Sequence, residues 1–257
     1  MKRYNTLILG ATTLACPLAA GLSGKTLVVG GGSSVGAEFS EAMNASPVPV
    51  RERSGLTAEF CRELSEKGML LPDGRIHILS VGGVLSRMYL DHGIHLRLGT
   101  AVLKTEKADG GFITELFCPE TGSETVFPEK VIDTRVRRFM KYRKLFSVML
   151  AGEPDIDAAA LRGSDAFIRK GVFPDEYIFR LFVPREASVP ECLERADGWL
   201  RANRPLLGKA CAAGISLEFG CMFDKPELFT ENGVVFAPSA SYPDVVSAFE
   251  GGEAMCL

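Results

Sequence analysis

Paired cysteine motifs are missing from this 257-residue chain. Its seven cysteines, Cys16, Cys61, Cys118, Cys192, Cys211, Cys221 and Cys256, contain no C-x-x-C spacing and leave one unpaired. That pattern speaks against a secreted disulfide scaffold and suits a reducing compartment, so a cytoplasmic location is expected. Histidine is scarce. Asp91, His92 and His95 are the only clustered metal-ligand types and lack a second set; a surface turn is expected there, and no metal. His77 stands alone and receives no role. The net charge of -3 offers no general attraction to nucleic acid or anionic lipid. No uncharged stretch makes a convincing membrane span, because the best one is broken by Thr12, Thr13, Pro17 and several glycines. Internal repeats and low-complexity tracts are absent as well. These absences leave a small molecule as the expected partner.

What is present is an ordinary globular composition, 46% apolar and 24% charged, in a chain long enough for one broad α/β domain or a main domain with a smaller companion. The stretch RYNTLILGATTLACPLAAGLSGKTLVVGGG, Arg3 to Gly32, has two readings. Lys2 and Arg3, an uncharged run and the small residues Ala19, Ala20 and Gly21 resemble a secretion signal. The same letters also divide into a strand Thr6 to Leu9, a turn at Gly10, a helix Ala11 to Leu22 and a second strand Thr26 to Val29. A cleaved signal needs no second strand, whereas a βαβ unit does, so the fold reading is preferred.

Further along, Leu56, Phe60 and Leu64 recur at helical spacing, and a second helix is expected from Ile78 to about Asp91 despite Gly82-Gly83. Ile94, Leu96 and Leu98 then alternate as in a strand. Turns at Ala108 to Gly111 and Glu120 to Ser123 delimit an antiparallel meander with strands Phe112 to Phe117 and Glu124 to Phe127. Val131-Ile132 begins a further short strand ending at Asp133-Thr134. Six of the ten residues from Arg135 to Lys144 are basic; such a run reads as a connection with a solvated face rather than an anion site. Leu145 to Pro184 is strand-rich, and Pro190 to about Ala213 is the longest helical candidate, with Pro205 as a breaker. The chain closes with a strand, a turn containing Pro238 and Pro243, and a helix from about Asp244.

A dinucleotide fold needs small residues where backbone N–H groups approach the pyrophosphate. The G-x-G-x-x-G/A template falls on Gly10, Thr12 and Ala15. Thr12 departs from it, although its hydroxyl could donate a hydrogen bond. Pro17 is tolerated only if it lies in the first helical turn. Gly30-Gly31-Gly32 stands where an acid ordinarily takes the ribose hydroxyls, leaving Ser33, Ser34 or Glu38 to do so.

Taken together, NTLILGATTLACPLAAGLSGKTLVV, the meander ending in KVIDT and the terminal FAPSASYPDVVSAFEGGEAM resemble the FAD-dependent oxidoreductases of the glutathione-reductase-like fold. The resemblance implies an α/β, Rossmann-like FAD-binding domain with a parallel sheet and an antiparallel meander, built from residues 1–138 and 232–257. Residues 139–231 would form an inserted, smaller α+β substrate domain. It implies FAD as cofactor, with the pyrophosphate at Gly10, Ala11, Thr12, Thr13 and Ala15, support from Ser33, the adenine near the backbone of Val102, and the flavin closed over by Pro238, Ser239, Ser241 and Val246. Ser239 and Ser241 also suit simple helix capping.

No catalytic acid, base or redox cysteine stands out, which agrees with chemistry carried by a flavin that the protein positions and tunes. Tyr177, Arg180 and Arg185 lie on strands of the expected substrate region and are candidates to face a cavity. The implied activity is hydride transfer between bound flavin and a small organic molecule. Thr12, Pro17 and the triple glycine motivate an alternative, a non-catalytic binding or scaffold protein that has lost the flavin. A nicotinamide cofactor on the same fold is disfavoured because such a domain does not require the C-terminus to return.

Overall fold

The computed structural model describes residues 1–154 and 165–256. Its first sheet begins with β1 (Lys2–Leu9), which leads through α1 (Ala15–Gly21) to β2 (Thr26–Val29). β1 and β2 pair in parallel from Thr6↔Thr26 to Leu9↔Val29, so the N-terminal stretch forms the expected strand, helix and strand. α1 starts four residues later than the pattern predicts, because Gly10 to Leu14 forms an extended turn. Pro17 is consequently the third residue of α1, where its missing N–H would have had no intrahelical partner.

Short α2 (Ala37–Ser40), then α3 (Gly55–Glu66) and α4 (Val81–Asp91) pack on one face of the sheet before the two-residue β3 (Leu96–Arg97). In α3 the expected helical triad works as a buried stripe, with Phe60 and Leu64 fully enclosed. β4 (Ala101–Ala108), β5 (Gly111–Cys118) and β6 (Gly122–Asp133) form the meander. The short strand expected at Val131-Ile132 is not separate: β6 is continuous over 12 residues. Its first half pairs antiparallel with β5, and from Val126 onward it pairs in parallel with β1. One strand therefore belongs to both the meander and the parallel sheet, and it ends at Asp133 beside the turn after β1.

The second sheet contains β7 (Arg143–Ala151), β8 (Ala166–Lys170) and β9 (Glu176–Val183). α5 (Val189–Ala202) covers it, followed by short α6 (Arg204–Leu207), β10 (Cys211–Ile215) and β11 (Gly220–Met222). The strand order is β10-β7-β9-β8, with β11 also on β7. α5 opens with a capping box in which Ser188 N–H donates to Glu191 at 2.7 Å. The helix expected to run to Ala213 stops at Ala202: Pro205 lies in the first turn of a new short helix, and residues 211–213 have already joined a strand.

The chain then returns to the first sheet through β12 (Phe229–Glu231) and β13 (Val234–Phe236), and α7 (Val245–Ala254) closes the fold. β13 pairs in parallel with β6 at Ile132 and Asp133. Asp244 caps α7 by accepting from Val246 and Ser247 N–H at 3.0 and 2.9 Å. Phe249 of α7 stacks on Phe60 of α3 at 4.5 Å in the main core. The strand order of the first sheet is β12-β13-β6-β1-β2-β3, with β5 and β4 continuing from β6. The loop after α2 fastens the two sheets: Ser147 Oγ donates to Ala42 O at 2.9 Å, and Leu217 N–H to Glu41 O at 3.0 Å. Among the described residues, no helix is long and apolar enough to cross a membrane.

Candidate functional site

The turn after β1 is built around a glycine. Gly10 holds φ +111°, and a Cβ there would stand 2.6 Å from Thr134 Oγ1 and 2.8 Å from Arg135 Cγ. The absent side chain lets the end of β6 close onto the turn. Thr134 N–H donates to Leu9 O at 2.9 Å, and Tyr89 OH donates to Thr12 O at 3.2 Å. Thr12 Oγ1 donates to Thr134 Oγ1 at 2.9 Å and accepts from Ala15 N–H at 3.3 Å. The hydroxyl that sequence reasoning offered to a phosphate is therefore committed inside the turn. By contrast, the backbone N–H groups of Ala11 and Thr12 have no acceptor among the described residues.

These two residues line a cavity of about 460 Å³ at the C-terminal ends of β1 and β2, the position at which open parallel sheets bind ligands. Gly31 and Gly32 form an edge where an added Cβ would meet nothing within 4 Å. Arg135, Arg137 and Arg138 form the cationic edge. Arg135 and Arg137 are held by fully buried Asp133, with Arg135 Nε at 2.9 Å from Oδ1 and Arg137 Nε at 2.8 Å from Oδ2. Part of the run read as a solvated connection is thus anchored to the end of β6 and turned to the cavity. The D-x-R-x-R spacing was the available signal, since it lets both side chains fold back onto one carboxylate.

An acidic edge lies opposite. Glu38 Oε1 accepts from Thr13 N–H at 2.8 Å and from Ser239 Oγ at 2.7 Å, while Ser239 Oγ accepts from Leu14 N–H at 3.3 Å. Burial pushes the Glu38 carboxyl above the usual range, against the opposing pull of the Ser239 and Thr13 hydrogen bonds. Glu218, on the same wall, is raised by burial and then by the charge of Glu41.

A second cavity, also about 460 Å³, lies between the second sheet, the loop after α2 and the turn before α7, and shares Cys221 with the first. Ala240 borders the first cavity, while Ser241, Tyr242 and Pro243 border the second. Arg180 of β9 lines the second cavity with Arg169, Lys225 and Asp224. Burial pushes the Cys221 thiol up to about 11 and that of Cys16 up to about 12, so both stay protonated at neutral pH and neither is an activated nucleophile.

Of the residues singled out from sequence, Gly10, Ala11, Thr12 and Ser33 line the first cavity, as do Ser34 and Glu38. Thr13, in the turn, and Ala15, the first residue of α1, are buried behind it. Ser239 joins through Glu38, and Ser241 Oγ accepts from Glu227 N–H at 3.1 Å. Pro238 leads into the short 3-10 turn Ser239–Ser241, and Val246 is in the core of α7. Val102 packs half-buried on β4 and lines neither cavity. His92 faces Glu59 at 3.3 Å, and His95 lies beside Tyr4 with its pKa lowered, chiefly by burial. His77, given no role from sequence, places Nδ1 2.7 Å from Glu176. Its partner lies 99 positions away, outside the reach of any local spacing rule.

No protein-family model and no curated protein matches this sequence. Solved structures do share the fold. The myxobacterial chondrochloren halogenase, described as a variant of FAD-dependent halogenases, matches with TM-score 0.66 at 12% identity over 100% of this chain and 73% of its own. Anhydrotetracycline hydroxylase from Streptomyces rimosus matches with TM-score 0.57 at 17% identity over 98% of this chain. Aklavinone-11 hydroxylase, solved with FAD and aklavinone, matches with TM-score 0.58 at 14% identity over 100% of this chain. The chain spans 60% and 61% of the length of those two hydroxylases.

Proposed function

We propose that this protein is an FAD-dependent oxidoreductase that transfers hydride between bound flavin and a small organic substrate. The observation that carries the reading is the cavity at the ends of β1 and β2, with the unpaired Ala11 and Thr12 N–H groups, the bare Gly31-Gly32 edge and the Arg135-Arg137-Arg138 edge. Unpaired backbone donors beside guanidinium groups fit a pyrophosphate. The second cavity, which has the lining residue Cys221 in common with the first, suits the far end of an elongated dinucleotide and a substrate beside it. The shared fold with FAD-dependent enzymes supports the same reading.

In this reading the flavin supplies the two-electron redox chemistry when bound. The chain's own groups position and enclose it. Asp133 holds Arg135 and Arg137 at the mouth, and the bare glycines admit the ribose, which Ser33 or Ser34 receives. Residues Pro238 to Ser241 cover the approach from the C-terminal side. Residues 1–138 with 232–257 constitute the cofactor-binding part, and residues 139–231 the substrate part. The relatives in fold include hydroxylases and a halogenase, so oxygen-dependent variants of flavin chemistry come within the same proposal.

One observation favours a second reading, a scaffold that has lost the flavin: Glu38 already places a carboxylate on the Thr13 N–H and holds Ser239 beside Leu14 N–H. The visible absorption spectrum and melting curve of the purified protein, with and without added FAD, separate the two. A flavin spectrum or a clear rise in Tm with FAD supports the enzyme. Absence of both effects would favour the scaffold.

A further inference from the structure

Arg180 is the largest fully buried side chain among the described residues, at 1% exposure. Its guanidinium makes one hydrogen bond, from Nη1 to Asn44 Oδ1 at 2.7 Å, while Nε and Nη2 have no acceptor among the described residues. Among the described residues the charge acting on it at neutral pH is that of Arg169, a second cation, since the neighbouring Cys221 thiol stays protonated, and no carboxylate takes part. Burial, followed by the charge of Arg169, pushes its pKa down to about 10, so it remains a cation at neutral pH. A buried cation without a counter-ion is costly, and such unpaired groups call for an explanation.

The two idle nitrogens are informative as a pair. Nε and Nη2 form one edge of the planar guanidinium, and both are enclosed, Nη2 against Gly220, so the positive charge of Arg180 stands beside the cavity without internal compensation. Around Arg180 the cavity carries two further cations, Arg169 and Lys225, against the single acid Asp224. Phe167 packs beside both arginines, its ring centroid 5.5 Å from Arg180 Cζ and 5.3 Å from that of Arg169. The rest of the wall includes Leu145, Met222 and Phe223, which suits an apolar ligand body.

The surroundings keep this edge in place. A Cβ on Gly220 would stand 2.6 Å from Nη2, so glycine there gives the guanidinium its room. Asn44 Oδ1 also accepts from Ser46 Oγ at 2.8 Å, which sets the amide orientation. Met43, immediately before it, holds φ +51°, a left-handed conformation unfavourable for a side-chain-bearing residue. Strain of this kind persists where neighbouring contacts require it.

We propose that the cavity beside Arg180 binds the carboxylate of a small apolar or aromatic acid, drawn there by the combined positive field of the uncompensated Arg180 with Arg169 and Lys225. Calling that acid the substrate rests on the flavoenzyme reading, whereas its binding does not require flavin.

The test is calorimetric titration of the full chain with benzoate and phenylacetate, against neutral benzamide and inorganic phosphate. Wild type is compared with Arg180→Met and Asn44→Asp, with FAD absorbance read on the same samples. Benzoate or phenylacetate is expected to bind wild type with Kd on the order of 1 mM or tighter, and benzamide at least about tenfold more weakly. Both variants should lose about thirtyfold or more. Asn44→Asp keeps the side-chain shape and supplies Arg180 with an internal carboxylate, so it preserves the test if the methionine variant does not fold. The proposal is overturned if neither acid binds wild type, if benzamide binds as well, if either folded variant binds normally, or if phosphate binds as tightly as the acids. Acid binding without FAD binding would sink the flavoenzyme reading alone, and FAD binding without acid binding would sink this one alone.

Discussion

Replacing Arg180 with methionine should make the protein more stable. The depression of its pKa to about 10, well below the ordinary arginine range, corresponds to roughly 3 kcal/mol against the charged form in this site. Methionine removes that penalty and the two unpaired nitrogens while retaining most of the apolar stem. The loss on the other side is one hydrogen bond to Asn44, whose Oδ1 keeps the Ser46 hydroxyl as a donor; such a bond contributes about 1–2 kcal/mol. The balance is a gain of about 1–2 kcal/mol at neutral pH. For a chain of this length that amounts to a rise of roughly 2–8 °C in Tm. Urea unfolding at constant m-value and a thermal melt would both report it. A loss of more than about 1 kcal/mol would refute the reasoning and show that the guanidinium chiefly ties β9 to the loop at Asn44.

Three other variants test neighbouring parts of the account. Glu38→Gln should tighten FAD binding and stabilise the protein at pH 7. Burial raises the Glu38 pKa in the folded state, so the wild type loses stability as pH rises through the ordinary carboxylate range; the advantage of glutamine should fade toward about pH 4, as unfolding curves at the two pH values would show. Gly10→Ala should cost about 2–4 kcal/mol from positive φ and the clash with Thr134 and Arg135, seen as a lower urea midpoint. Flavin loss in that variant is informative only when measured on the folded fraction. Phe249→Ala should cost about 3–5 kcal/mol in the same assay, because it empties a stacked position in the core beside Phe60.

The parts of the fold that follow local rules were legible in the sequence. Alternation and turn residues located β2 and the meander, and helical spacing located α3 and α4, because each signal lies within a dozen residues. The end of α5 was misjudged because leucine spacing continues past Ala202 while Cys211 to Ile215 is recruited by β7. In the site, Gly10 and its neighbours were visible as a turn. The use of Thr12 was not, since its partner Thr134 is 122 positions away. The anchoring of Arg135 and Arg137 depends on Asp133 being buried by the pairing of β6 with both β1 and β13, a condition that charge counting does not contain. Arg180 appeared as one of several strand residues able to face a cavity; only the packed structure distinguishes it, by leaving its guanidinium edge unpaired.

The short segment around α2 carries a consequence for how the two cavities communicate. Glu38 reaches the first cavity and Asn44 the second, six positions apart in the chain, and the bonds from Ser147 and Leu217 clamp the residues between them to the second sheet. A shift of this segment that frees the Thr13 amide from Glu38 would also move the amide that holds Arg180. The two ligands would then be thermodynamically linked, and by reciprocity whatever factor an acid applies to FAD affinity, FAD must apply to the acid. Cooperativity between cofactor and substrate would thus reside in one turn of helix and the loop behind it.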